Sequence, residues 1–111
     1  MYDIVAPPAF RLCLDRLIHF LENKYSPQKA RKTKAHIKKT LANNLSKNPH
    51  IAPVSDRLID IGITEYRQYS VDEHNMVFYR INESEKRVVL LAVMDSRQNI
   101  QKLLLDVLLL S

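Results

Sequence analysis

The chain has 111 residues, 46 % hydrophobic and 26 % charged, the proportions of one globular domain and not of a disordered segment. A single glycine, with no GxGxxG or GxxxxGK[ST] stretch, excludes the nucleotide folds that cradle phosphate in glycine-rich loops. The net charge of +5 is uneven, because residues 1–54 hold ten Lys/Arg against three Asp/Glu and residues 55–111 hold seven against nine. The basic half favours an anionic partner, either nucleic acid or an acidic protein.

Taken in chain order, "YDIVAP" begins as a short alternating strand that Pro7 and Pro8 close. Proline suits the first turn of a helix, where its missing N–H costs nothing. The following "AFRLCLDRLIHFLEN" has apolar residues at Phe10, Cys13, Leu14, Leu17, Ile18 and Leu21, which is helical spacing with one broad apolar face. Cys13 falls on that face, so a buried, reduced thiol is expected, in keeping with a cytoplasmic protein. A second helix restarts at Ser26, a good N-cap, and Pro27. Its apolar stripe is Ala30, Ile37, Leu41 and Leu45, while Lys29, Lys32, His36 and Lys39 point away from it. The short link predicts an antiparallel helical hairpin.

"SKNPHIAPVSDRLIDIGI" reads as a loop, after which the period changes from about four to two. "EYRQYSV" is a half-buried strand and "DEH" a tight connection. "NMVFYRI" is a second strand, "NESEK" a hairpin loop, and "RVVLLAVM" a nearly continuous apolar strand. That last run predicts a central strand covered on both faces. The polar knot "DSRQN" then turns the chain into a final helix. Asp95 is expected to cap it, with Gln98 reaching back in a capping-box variant. Arg97 is not needed for that corner and is expected exposed in the first helical turn. Seven of the eight residues Leu103–Leu110 are Leu or Val, too many for one helical face, so part of that surface is expected to meet a partner chain. The segment is too short to span a bilayer, and no secretory signal is evident. Four scattered histidines and one cysteine show no metal-ligand spacing, and no cofactor is expected.

This order of elements resembles the ParE/RelE family of toxins from bacterial toxin–antitoxin pairs. In architecture the likeness runs over about residues 2 to 102, and in motif over about 65 to 100. There "YRQYSV", "MVFYRI" and "VVLLAVMDSRQNI" are similar to the family's Tyr-Arg, Phe/Tyr-Tyr-Arg and Val-hydrophobic-x-x-Arg-Gln. The resemblance implies an α+β fold: an N-terminal strand, an antiparallel two-helix hairpin on a three- to four-stranded antiparallel sheet, and a C-terminal helix. It also implies a cognate antitoxin carrying a small acidic segment.

Two targets are known within the family. RelE-like members cut ribosome-bound mRNA without a metal, whereas ParE-like members poison DNA gyrase. RNA cleavage requires groups that deprotonate a 2′-hydroxyl, stabilise phosphate charge and protonate the leaving oxygen, all converging on one patch. Arg67 stands where the first basic strand residue of the RelE pattern falls. However, Met76 and Ser96 stand where arginines are wanted, and no tyrosine follows in the last helix. These departures favour gyrase. Arg67, Arg80 and Arg97 are the candidate target-binding residues, unless they form surface ion pairs, for which Arg67 and Arg80 have nearby carboxylates such as Glu65, Glu83 or Asp95. Lys29, Lys32, Lys39, Leu103, Leu104, Val107 and Leu108 are the candidate antitoxin-binding residues. The rival ribonuclease reading uses Arg67, His74 and Arg97. A third reading is a small nucleic-acid-binding module built on the second-helix lysines.

Overall fold

The computed structural model describes residues 1–110. Strand β1 (Asp3–Val5) leads into helices α1 (Pro8–Lys24) and α2 (Pro27–Thr40). A wide π turn (Leu41–Leu45), a 3₁₀ turn (Pro49–Ile51) and a short helix α3 (Asp56–Ile59) follow. The chain then forms β2 (Arg67–Ser70), β3 (Asn75–Asn82), β4 (Arg87–Asp95) and α4 (Ile100–Leu110).

The sheet order is β1-β4-β3-β2. The β2–β3 and β3–β4 pairs are antiparallel, but β1 runs parallel to β4, with Ile4 opposite Val88. The sheet is therefore mixed and not wholly antiparallel as the sequence suggested. A parallel pair needs a long crossover, and everything between β1 and β4 supplies one. The expectation for β4 holds. It is a central strand, buried from Leu90 through Asp95. Phe78 lies opposite Ala92 and Tyr79 opposite Leu90, so Leu91 is the extra residue of a bulge.

Helix α1 buries Phe10, Cys13, Leu17 and Leu21, three or four residues apart. Burial pushes the Cys13 thiol above its usual pKa, keeping it a neutral core group. The Ser26 hydroxyl accepts the Lys29 N–H at 3.0 Å, the N-cap that the sequence announced. Past Thr40 the helix widens, with the Ser46 N–H donating to the Leu41 carbonyl, five residues back, at 3.2 Å. This widening keeps both Leu41 and Leu45 in the core.

The segment after it is more structured than the loop reading allowed. Its two turns carry their own backbone hydrogen bonds, and Leu58 is fully buried. The Tyr79 hydroxyl donates to the Pro49 carbonyl at 2.5 Å, and Arg67 donates to the Ala52 carbonyl at 2.6 Å. The chain then crosses the outer edge of β2 through the Val54–Arg67 bridge.

The corner after β4 also differs from expectation. Gln98 does reach back, its side-chain oxygen accepting the Asp95 N–H at 2.9 Å. The helix itself begins only at Ile100, and Asn99 supplies the side-chain cap, accepting the Lys102 N–H at 3.2 Å. Asp95 and Gln98 close a turn one step earlier, so Arg97 sits in that turn and not in the first turn of α4.

Candidate functional site

The three arginines singled out by sequence do not converge. Arg67 pairs across β2–β3 with Tyr79, so their side chains share a face. Arg80, the next residue on β3, points to the opposite face. There it lies beside the Tyr66 phenol, near the start of α1 and Leu110. Arg97 belongs to the far end of the sheet, beyond the Asn75–Asp95 pair. Four residues of strand separate that level from Arg67, about 13 Å.

Pairing with carboxylates is equally uneven. Arg67 is committed to the Ala52 carbonyl. Arg80 makes no ion pair among the described residues, and neither Glu65 nor Glu83 pairs with Arg67 or Arg80. Only Arg97 has found an acid. Its Nε donates to Asp95 Oδ1 at 2.8 Å, its backbone N–H reaches the same oxygen at 2.8 Å, and its guanidinium also donates to the Tyr25 hydroxyl. The guanidinium carbon lies 4.9 Å from the Tyr25 ring centre, a stacking distance. The Asp95 side chain is 0 % exposed against 29 % for Arg97. Burial alone would raise the Asp95 pKa, but the hydrogen bonds and charge of Arg97 outweigh it and hold the carboxyl below its usual range. Arg97 therefore ties the end of β4 to the end of α1.

His74 approaches this same end. Its carbonyl accepts the Ser96 N–H at 2.7 Å, and its own N–H donates to Asp72 Oδ1 at 2.9 Å. Asp72 also accepts the Asn75 N–H and side-chain amide. Burial pulls the Asp72 pKa up, while those donors bring it below the ordinary range. The imidazole is half-buried in a bend between β2 and β3. The structure thus brings His74 and Arg97 to one end of the sheet and leaves Arg67 apart. Tyr25 is the member of this cluster that sequence reasoning missed. Its position at the end of α1 was visible, but its neighbour 72 residues away was not.

The lysines are where the sequence placed them. Lys29, Lys32 and Lys39 are exposed on α2, and no α2 cation is ion-paired among the described residues. The leucines divide. Leu104 (5 % exposed) and Val107 (2 %) pack into the core, which corrects their assignment to a partner surface, while Leu103 and Leu108 are half-buried. Leu105, Leu109 and Leu110 carry the exposed apolar area instead. Position on the helix decides this, since Ile100, Leu104 and Val107, three or four residues apart, form the buried face, while Asp106 pairs with Arg16 of α1 at 3.3 Å. Among the described residues no cluster of His, Cys, Asp and Glu has the makings of a metal site, and no helix is long and apolar enough to cross a membrane.

A helical hairpin on a four-stranded mixed sheet, closed by an Asn-Pro turn and a C-terminal helix, is the architecture of the small α+β toxins of the ParE/RelE type. The model of the family described as the ParE toxin of type II toxin–antitoxin systems, parDE, matches residues 6–100, and the chain belongs to this family. Among solved structures, a chain of the chromosomal ParDE toxin–antitoxin system from P. aeruginosa superposes with a TM-score of 0.67 at 14 % identity, covering 86 % of this chain and 96 % of that one. A chain of the RelBE2 toxin–antitoxin complex from Mycobacterium tuberculosis gives 0.59 at 18 % identity, covering 85 % and 96 %. A conserved hypothetical protein from Helicobacter pylori gives 0.52 at 16 %, covering 86 % and 94 %. At such identities the superpositions report the fold. No curated protein matches the sequence significantly.

Proposed function

We propose that this toxin arrests growth by binding and poisoning DNA gyrase, and that a cognate antitoxin neutralises it by direct binding. The family match over residues 6–100 supports the toxin class. One structural observation supports gyrase over RNA cleavage, namely that Arg67 and the His74–Arg97 pair lie at different levels of the sheet, with Arg97 already neutralised by Asp95. Metal-independent RNA cleavage needs its base, acid and phosphate-stabilising groups on one patch. Inhibition by binding needs only a complementary surface. Arg80, free of any carboxylate among the described residues, is the arginine best placed to meet the target.

A ribosome-dependent ribonuclease is the rival, and the shared location of His74 and Arg97 is what favours it. A nucleic-acid-binding module would use Lys29, Lys32 and Lys39, yet no Phe, Tyr or Trp lies on α2 to stack a base. Inducing the chain alone decides among them. Growth arrest with filamentation, DNA damage and intact messenger RNA is expected, along with loss of supercoiling activity by gyrase in a purified assay. Co-expression of the antitoxin should restore growth. Codon-specific cuts in ribosome-bound messages, with gyrase unaffected, would establish the ribonuclease instead.

A further inference from the structure

Near the start of α1, on the sheet face that carries Arg80, lies a pocket of about 270 Å³. Its walls are apolar, formed by Pro7, Pro8, Val89, Leu91 and Leu110, and its polar side is Tyr66 with Arg80. The space suits one or two side chains; sites for cofactors and drug-sized ligands are usually about 300–1,000 Å³.

Arg16, Arg87 and Arg97 each have a carboxylate partner, while Arg11, Arg31, Arg57, Arg67 and Arg80 have none among the described residues. Of these five, Arg11, Arg31 and Arg57 are exposed and Arg67 is held by the Ala52 carbonyl, whereas Arg80 is half-buried and rests against the Tyr66 phenol at the pocket. The Tyr66 phenol, like any tyrosine, keeps its proton at neutral pH and is able to donate it in a hydrogen bond; burial, with the charge of nearby Glu65, raises its pKa further. A guanidinium fork and a phenol O–H set beside apolar walls are complementary to a carboxylate borne on an aliphatic stem.

We propose that this pocket anchors the antitoxin through an acidic residue flanked by an aliphatic one. The carboxylate meets Arg80 and the Tyr66 hydroxyl, and the aliphatic side chain lies between Pro8 and Leu110, which is 58 % exposed in the free chain. The assignment rests on the reading that a protein antitoxin neutralises the toxin. It extends that reading by giving neutralisation a mechanism, since the antitoxin then covers the one candidate target-binding arginine that is free. The charge that points to an acidic partner is local, namely the Arg80 guanidinium, which has no carboxylate partner among the described residues.

Two measurements test this separately from the parent reading. First, purified chain labelled with ¹⁵N is titrated with hexanoate, a carboxylate on an aliphatic stem, and with hexanol as the uncharged control. Hexanoate should shift the amides of Tyr66, Arg80, Val89 and Leu91, and hexanol should do so at least about tenfold more weakly. Arg80→Gln should remove the preference and Arg80→Lys should keep part of it, with thermal melting confirming that both variants fold. Equal response to the two probes, or an unchanged hexanoate response in Arg80→Gln, overturns the site. Second, the antitoxin encoded beside the toxin gene is titrated into wild type and Arg80→Gln. A loss of about tenfold or more in affinity supports the assignment. Equal affinity overturns the antitoxin as occupant while leaving the toxin reading intact. No binding even to wild type overturns both.

Discussion

Replacing Arg97 by alanine strips a fully buried carboxylate of the one cation that ion-pairs with it among the described residues. The sequence predicts an exposed Arg97 whose loss changes stability by within about 0.5 kcal/mol, but its pairing with buried Asp95 makes the change larger. Asp95 is 0 % exposed, and the Arg97 side chain provides its charged hydrogen bonds. A hydrogen bond to a charged group contributes about 1.5–3 kcal/mol, and leaving one member of a fully buried ion pair alone costs about 3–5 kcal/mol. Arg97 is partly exposed, and its backbone N–H still reaches Asp95 in the variant. A destabilisation of about 2 kcal/mol is therefore expected, which at a urea slope of about 1–3 kcal/mol/M lowers the midpoint by roughly 1 M. The pH dependence supplies the sign. Asp95 has a folded pKa below its unfolded value, so its stabilisation is complete above the ordinary carboxylate range, near about 4, and is lost as pH falls through the depressed folded value. The gap between wild type and Arg97→Ala should accordingly be full at neutral pH and close in acid. Urea unfolding at several pH values is the assay. A gap under about 0.5 kcal/mol at pH 7, or one that does not narrow in acid, refutes the buried-pair reasoning.

The C-terminal helix offers a paired comparison. Leu104→Ala should cost about 2–5 kcal/mol by opening a cavity, and Leu109→Ala, 86 % exposed, should change stability by within about 0.5 kcal/mol. Equal denaturation midpoints for the two would mean α4 does not dock as described. Deleting residues 103–111 should consequently unfold the domain, as circular dichroism of the truncated chain will show, and not merely weaken a partner contact. On α2, replacing Lys29, Lys32 and Lys39 together with glutamine should slow association with an acidic antitoxin and flatten its salt dependence, leaving the melting temperature nearly unchanged. Stopped-flow rates at two ionic strengths check this, and an unchanged rate at low salt places the antitoxin elsewhere.

Much of this domain is written in local pattern. Phe10, Cys13, Leu17 and Leu21 recur at helical spacing and are buried on one face of α1. Ser26 and Pro27 start α2 where capping chemistry places a helix start. The unbroken apolar run after Arg87 is central because a strand buried on both faces cannot alternate. These features depend on residues within a few positions of one another, so periodicity and caps reveal them. Long-range relations decided the rest. The direction of β1 beside β4 depends on a crossover of some eighty residues and leaves no trace in "DIV". Arg67, Arg80 and Arg97 look alike in sequence, yet one is held by a loop carbonyl, one rests on a phenol above an apolar pocket, and one neutralises a buried acid. The leucines of α4 look interchangeable too, until docking against the rest of the chain turns Leu104 and Val107 inward. Side-chain chemistry is local, but charge partners and burial are set by which distant segments the sheet brings together, and those determine what each arginine is free to bind.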